Sequence, residues 1–419
     1  MARELYPTNR GLVLVGVETI YGAGAAITAA DVVYAEDVTV DTVTDMITRQ
    51  GASPERPGFR AVAGLQHGTL SMSTECRPKV QIAPFAGLPA ADAMAPDIDG
   101  LLRASGWVRE DSDATVSQTY ICTSGYTVES AEVQVYETNS DQAGPGAGIT
   151  VWDFYGCRFD WSFSWNAGER WMWSFTGASN SVESGGEDIP DSWMNAIGPL
   201  NYGIDEPLTA KGLTGNGLAE TEGDPAFPFD SATRVIFGGG VTGAPLHELA
   251  VLSVSVSGNM GMNEQESVTS SGGIGRITLV PQDALTIECV IEQSGIAQAF
   301  PWGIPPTSEF NPYLYRDTQD PIEVNFTFTQ TGTGANVCSA QVVAYCVITG
   351  VSKAESNGRR TWSLTMDAVY PESAADTGAT NAAGADPGQV FELGVVPSIG
   401  LGLIGATRLG LMAIQFSTV

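Results

Sequence analysis

The feature that most constrains the fold is a tryptophan-rich stretch in which apolar and polar residues alternate. Five of the nine tryptophans lie between residues 148 and 178. From Phe159 to Trp165 every second residue is aromatic, and the alternation resumes after a turn at residues 166–168. Because successive side chains of a strand point to opposite faces, this predicts a hairpin with one large aromatic face in a core or interface. The aromatic residues assigned to it, with one from a similar later run, are Trp161, Trp165, Trp171, Trp173 and Trp362.

Three short similarities between the two halves of the chain indicate an internal duplication. They occur in the same order at nearly constant separation, which is typical of diverged repeats. The alternative is that any two alternating strands look alike. The matched segments are Cys157 and Trp173 with Cys346 and Trp362, residues 73–76 with 286–289, and residues 37–40 with 253–256.

The composition and the repeat together predict an all-β protein with two similar units. The 49 glycines and the many short alternating runs favour strands and turns, and one short helix is expected near residues 97–106. The predicted division is a first domain over residues 1–178, an acidic Gly/Pro-rich connector over 179–230, a second domain over 231–373, and a linker with an apolar C-terminal arm over 374–419.

The formal net charge of −29 limits the possible partners. It argues against binding nucleic acid through phosphate contacts, which need clustered Lys and Arg. Two interpretations remain open. The charge either serves solubility, or it forms a surface past which another polyanion slides without binding.

No residue pattern in the sequence indicates catalysis or a cofactor. His67 and His247 lack the neighbours of a metal site, and no phosphate-binding or nucleophile motif is present. The six cysteines contain no CxxC pair and are expected to be free thiols. We expect the protein to be made in a cytoplasm. No stretch reaches membrane-spanning length. We therefore predict a protein that is not an enzyme, with no catalytic, cofactor or metal residues and no membrane insertion.

Three segments resemble the tail tube (major tail) proteins of long-tailed bacteriophages. They are GVETIYGAGAAITAADVVYAEDVTV from residue 16, LLRASGW from residue 101 and ITVWDFYGCRFDWSFSWNAGERWMWSFTGA from residue 149. The first resembles a Glu-Thr-x-Tyr-Gly motif that precedes the first strand in that family. The similarity spans most of residues 16–178 and thins over residues 229–292.

The resemblance implies two tandem, diverged β-sandwich or barrel domains of the tail-tube type with a short flanking helix. It further implies that sheets join between subunits into a ring-shaped barrel and that rings stack into a tube. The expected partners are other copies of the chain, the tape-measure protein and transiently DNA in the lumen, and tail terminator and tail-tip proteins. The expected location is the virion tail, after assembly in the host cytoplasm. Most proteins of this family have one tube domain per chain and close as rings of six, so two fused domains imply a ring of three chains with approximate six-fold symmetry.

Four acids are candidates for lining the lumen of such a tube, because they alternate with apolar neighbours. A face directed outward to solvent is the alternative for them. We also expect the loop at residues 49–60 and the tail at residues 390–419 to contact neighbouring subunits. The four acids are Asp37, Asp41, Glu75 and Glu288, of which Glu75 and Glu288 are expected at matching places of the repeat.

Two other functions compete with the tube. Another virion β-protein, such as a tail terminator or a capsid decoration protein, would share the fold without stacking. A carbohydrate-binding β-protein would use the aromatic face as a sugar groove.

Overall fold

The structure, a computed structural model, consists of antiparallel strands and two short helices in the part that it describes. The all-β prediction is therefore confirmed. The loop at residues 49–60 and most of the predicted connector and linker lie outside this part. The described residues are 11–27, 31–33, 35–47, 62–76, 95–110, 117–122, 128–138, 149–185, 234–238, 247–258, 262–265, 276–279, 285–292, 310–319, 321–329, 338–356, 358–369 and 411–418.

The first half of the chain contains the predicted aromatic hairpin and the predicted short helix. Leu101 and Leu102 of the helix are buried, and Gly106 ends it with a φ of 88°. The elements are β1 (Gly11–Glu18), β2 (Val32–Val33), β3 (Ala35–Ile47), β4 (Val62–Glu75), α1 (Asp99–Ala104), β5 (Trp107–Glu110), β6 (Ser117–Cys122), β7 (Ser130–Thr138), β8 (Ile149–Asn166), β9 (Met172–Ala178) and β10 (Ser181–Gly185).

The second half contains a similar series, followed by a C-terminal strand. Asn311 caps its helix by accepting a hydrogen bond from the backbone N–H of Tyr313. The elements are β11 (Arg234–Gly238), β12 (His247–Glu248), β13 (Val251–Gly258), β14 (Met262–Gln265), β15 (Arg276–Leu279), β16 (Thr286–Glu292), α2 (Pro312–Thr318), β17 (Ile322–Thr329), β18 (Cys338–Ser356), β19 (Arg359–Ala368) and β20 (Met412–Thr418).

Eight strands form a continuous antiparallel sheet, which we call the central sheet. Its spatial order is β3, β4, β9, the part of β8 from Arg158, β13, β16, β19 and the part of β18 from Val347. The pairing of β8 with β13 joins the two halves of the chain. Each half therefore contributes four neighbouring strands.

The first parts of the long strands β8 and β18 belong to two further sheets. The first outer sheet has the order β2, β1, β7, β8 and β10. The second outer sheet has the order β12, β11, β17, β18, β20, β6 and β5. Each long strand thus crosses from an outer sheet into the central sheet.

The C-terminal strand β20 lies between β18 of the second half and β6 of the first half. Its residues Met412, Ile414 and Phe416 are fully buried. The expectation that the apolar tail contacts neighbouring subunits stays a prediction. Within the chain itself, the edges of β18 and β6 bind the backbone groups of β20. Residues 390–410 lie outside the described part.

One hydrophobic core is shared by both halves. The ring of Trp165 lies 4.8 Å from that of Phe328, and Trp171 lies 6.3 Å from Phe416, measured between ring centroids. The aromatic hairpin of the first half thus packs on strands of the second outer sheet. Its apolar face is consequently directed into the molecule.

The two halves have the same pairing order. In the first half, two series of strands are neighbours in space, in the order β2, β1, β7, β8 and in the order β3, β4, β9, β8. In the second half β12, β11, β17 and β18 do the same, as do β13, β16, β19 and β18. Along the chain, α1 occurs between β4 and β7, and α2 occurs between the equivalent strands β16 and β17. The repeat seen in the sequence is thus also a repeat of topology.

The pairing register also agrees with the matched cysteines. Cys157 pairs with Ala131, and Cys346 pairs with Ile322, in each case near the beginning of the strand before the long one. The residues after the two cysteines pair with equivalent positions of β9 and β19, which makes Trp173 equivalent to Trp362.

The expected equivalence of Glu75 and Glu288 is wrong. Glu75 pairs with Met172, and Glu292 pairs with Thr361; these partners each precede the matched tryptophan. Glu75 is therefore equivalent to Glu292, four residues beyond Glu288. A slip by an even number of residues keeps every side chain on its own face, so alternation alone cannot detect it.

Candidate functional site

The face of the central sheet that points away from the core consists mainly of small polar residues with scattered acids. We call it the polar face; it comprises every second residue of each strand, and two of its cross-strand rows are given below. Serine and threonine give this face hydroxyl groups and no bulky side chains. The first row is Glu36, Ser73, Ser174, Ser162, Ser257, Thr286, Asp367 and Val347, and the second is Glu75, Met172, Ser164, Ser255, Glu288, Thr365 and Gly350.

Three of the four predicted lumen acids are exposed. Asp41 and Glu288 lie on the polar face. Their strand neighbours Val40 and Ile287 point to the opposite, apolar face of the sheet. Asp37 lies at a bulge of β3 with a φ of 50°, a conformation that Asp adopts more readily than most residues. Exposed carboxylates of this kind give the surface a negative potential.

Glu75 has a different environment. Its strand position directs it to the polar face, but the side chain is only 1% exposed and is bound by Arg170 from the β8–β9 turn. The buried carboxylate of Glu75 is therefore paired with an exposed guanidinium and adds no free negative charge to this face. The sequence offered no sign of this partner, because the two residues are 95 positions apart.

The predicted aromatic residues form the core beneath the polar face. Trp161, Trp165, Trp171 and Trp173 are 1–2% exposed, and Trp362 is 7% exposed. The ring centroids of Trp161 and Trp173 lie 5.7 Å apart. A sugar-binding groove needs accessible ring faces, and these five rings do not offer them.

Both edges of the central sheet are open within the described part of the chain. There β3 pairs only with β4, and β18 from Val347 onward pairs only with β19. The edge residues Thr39 and Asp41 on one side, and Ser352 and Lys353 on the other, are exposed. Open edges of this kind present backbone N–H and C=O groups to a further strand.

The joint between the halves shows what such an edge can accept. Phe163 of β8 pairs with Val256 of β13, and Ser162 pairs with Ser257. Phe163 and Val256 are 2% and 1% exposed, so the joint continues both the apolar and the polar face without a break.

Sequence reasoning missed Glu18, which organises the loop at residues 19–24. Its carboxylate accepts hydrogen bonds from the backbone N–H of Gly22 at 2.9 Å, Gly24 at 3.3 Å and Gly156 at 3.0 Å, and from Ser130 Oγ at 2.5 Å. Gly22 and Gly156 have φ values of 69° and 67°, which favour glycine. An acid at the end of an apolar run and followed by glycines was the available signal.

Glu132 holds the continuation of the same loop. It accepts hydrogen bonds from the backbone N–H of Ala25 at 2.5 Å and from Gln134 Nε2 at 2.8 Å. The two acids together give the Glu-Thr-x-Tyr-Gly motif a structural role, because they bind the loop to β7 and β8.

The described cysteine thiols are structural. Burial raises the pKa of Cys122 to about 12 and raises the pKa of Cys76, Cys157, Cys289 and Cys346 as well. A buried thiol that keeps its proton is a poor nucleophile and a poor metal ligand. Among the described residues no three His, Cys, Asp or Glu side chains lie together as a metal site, and no helix is long and apolar enough to span a membrane.

Comparison with known proteins assigns no family. The chain matches no protein-family model and no curated protein.

Proposed function

We propose that this chain is a subunit of the tail tube of a long-tailed bacteriophage, a structural virion protein whose stacked rings form the conduit for genome delivery. The observation that carries the proposal is the open central sheet. It consists of two similar four-stranded sets joined edge to edge, and each edge that is open among the described residues is the counterpart of an edge used in that joint. The resemblance of residues 16–178 to tail tube proteins supports the same function.

The size and polarity of the central sheet favour a ring of several chains. A closed barrel of about eight strands has an interior filled by side chains, whereas about 16–18 strands enclose an aqueous channel. A polar face of hydroxyl groups and acids is unsuited to a filled interior. Three chains of eight strands would contribute 3 × 8 = 24 strands, with the polar face lining the channel.

A ring of three chains is supported by the repeat together with the resemblance, which implies six tube domains per ring. Each chain supplies two sets of four strands, so a ring of three has true three-fold and approximate six-fold symmetry. Within such a ring every set meets a set of the other kind. The two sets can then differ in sequence. For example, Trp161 of the first set corresponds to Val351 of the second.

The charge suits a conduit for DNA. The net charge is −29, and Asp41 and Glu288 are exposed on the polar face. Such a surface repels phosphate groups over a Debye length of about 8–10 Å, so the genome passes without binding. Before ejection the channel would hold the tape-measure protein, and tail terminator and tail-tip proteins would close its ends.

The competing functions have weaker support. The buried aromatic face removes the feature that suggested carbohydrate binding. A tail terminator or decoration protein remains a second candidate, and it would form rings or monomers that do not stack.

Electron microscopy of the purified full-length chain tests the proposal. We expect filaments with a central channel, and cross-sections with three-fold symmetry. Isolated rings that never stack would favour the terminator, and monomers at all concentrations would refute a tube. Six chains per ring would refute the trimer while leaving the tube intact.

A further inference from the structure

We infer that neighbouring subunits join through β18 of one copy and β3 of the next, in the register already used between β8 and β13 inside each chain. The inference rests on the proposed function, since it presumes that copies of the chain form a ring. It goes further by naming the two strands, the facing residues and the features that keep these edges from pairing too early.

The first step is that β18 is the counterpart of β8. Ser162 of β8 pairs with Ser174, and Ser352 of β18 pairs with Ser363. Ser174 and Ser363 each follow the matched tryptophan of their strand. In this part of the hairpins, Ser352 therefore occupies the position of Ser162.

The second step is that β3 is the counterpart of β13. Asp41 of β3 pairs with Thr69, and Ser257 of β13 pairs with Thr286. The two threonines pair in turn with equivalent positions of β9 and β19. Asp41 therefore occupies the position of Ser257.

The third step transfers the known joint to the free edges. Ser257 pairs with Ser162 inside the chain, so Asp41 of one copy is expected opposite Ser352 of the next. Both side chains lie on the polar face, which the new contact continues. The full expected register is Thr39 with Ala354, Val40 with Lys353, Asp41 with Ser352 and Thr42 with Val351, the first residue of each pair belonging to one copy and the second to its neighbour.

The two joints differ in a way that suits their different tasks. On the apolar side, Phe163 meets Val256 within the chain, whereas Lys353 would meet Val40 between chains. Lys353 is exposed, and its Nζ lies 5.7 Å from the ring centroid of Tyr313 in α2. A charge on the inward side of an edge strand disfavours pairing with unrelated strands.

The opposite edge is protected by its backbone. The bulge of β3 interrupts the ladder between Glu36 and Thr39, and Asp37 within it has a φ of 50°. A bulge bends an edge strand away from regular pairing partners. Both outer edges thus disfavour random association, whereas the inner side of the intrachain joint is apolar.

Disulfide trapping tests the register. The double variant Asp41→Cys with Ser352→Cys places two thiols directly opposite each other, within the Cα separation of about 4.4–6.8 Å that a disulfide needs. In assembled tubes under mild oxidation, we expect covalent dimers and a ladder that ends at the number of chains per ring. The described native cysteines are buried, so each single variant should give no ladder.

A displaced pair provides the matched control. Ser356 is four residues beyond Ser352 in β18, about 14 Å along the strand, so Asp41→Cys with Ser356→Cys should stay reduced. The proposed register is wrong if the displaced pair reacts in assembled tubes, or if Asp41→Cys with Ser352→Cys stays reduced there. Neither result contradicts the proposed function as a tail tube. Should that double variant not assemble, Thr39→Cys with Ala354→Cys gives the same readout. Failure of the unsubstituted chain to form rings would instead refute the proposed function.

Discussion

At the scale of single residues, Glu18 is the clearest case of one side chain fixing a segment. Its carboxylate accepts four hydrogen bonds, three of them from backbone N–H groups. Glu18→Ala would leave these donors without an acceptor at a buried site. We expect a loss of about 3 kcal/mol in the free energy of unfolding, measured by urea denaturation. Glu36→Ala, at an exposed acid, is the control, and an equal loss in both variants would contradict this role.

Glu323 should make stability depend on pH. Burial raises its pKa from 4.5 to about 7, although Asn325 and the hydroxyl of Tyr345 donate hydrogen bonds that lower it. Between these two values the folded state keeps a proton that the unfolded state has lost. Stability therefore falls as pH rises from 4.5 to about 7 and is level above that.

The variant Glu323→Gln should remove this fall. Above pH 7 it should be more stable than the natural chain by about 1–3 kcal/mol, and the difference should shrink towards pH 4.5. Thermal unfolding across this pH range measures it. Glu183→Gln, at an exposed position of β10, controls for the loss of one negative charge. A difference that does not vary with pH would count against the assignment.

At the scale of elements, β20 connects the two halves. Its Phe416 ring lies 6.0 Å from that of Tyr120 in β6 and 6.3 Å from that of Trp171, between ring centroids. Phe416→Ala should cost about 3–5 kcal/mol in the free energy of unfolding, because it leaves a cavity at this junction. Ser255→Ala, on the polar face, should change it little. A Phe416→Ala subunit of undiminished stability that fails to polymerise would instead favour a role of β20 in contacts between subunits.

At the scale of the whole molecule, the polar face should govern how easily DNA leaves the particle. Glu288→Lys replaces one negative charge on this face by one positive charge, a change of +2 per chain, without touching the core. We expect tubes of normal appearance and DNA release that is several-fold slower at low ionic strength, with the effect shrinking as salt rises. Release kinetics from particles carrying the variant measure this.

The control for this experiment is Glu183→Lys, which changes the charge equally on an exposed position of the first outer sheet. Release as slow in the control as in Glu288→Lys would show that net charge, not the polar face, is responsible. Glu75→Lys is unsuited to the same test. It would place a lysine at the buried position of Glu75, remove its pairing with Arg170 and destabilise the subunit.

The sequence by itself determined which residues form strands and which face of each strand is apolar. Alternation has a period of two residues and is set by local geometry, so the aromatic hairpin that contains Trp173 could be predicted from the sequence alone. The repeat was visible for the same reason, since Cys157 and Cys346 occupy equivalent positions of the alternating pattern in the two halves.

Only the tertiary structure decided which strands meet and in what register. An even slip preserves alternation, so the true equivalence of Glu75 with Glu292 required the hydrogen-bonded partners in β9 and β19. The place of β20, the pair of Glu75 with Arg170 and the contacts of Glu18 likewise join residues far apart in the chain. Long-range pairing of this kind depends on the edges and cavities that the rest of the fold leaves open, and these have no local signature in the sequence.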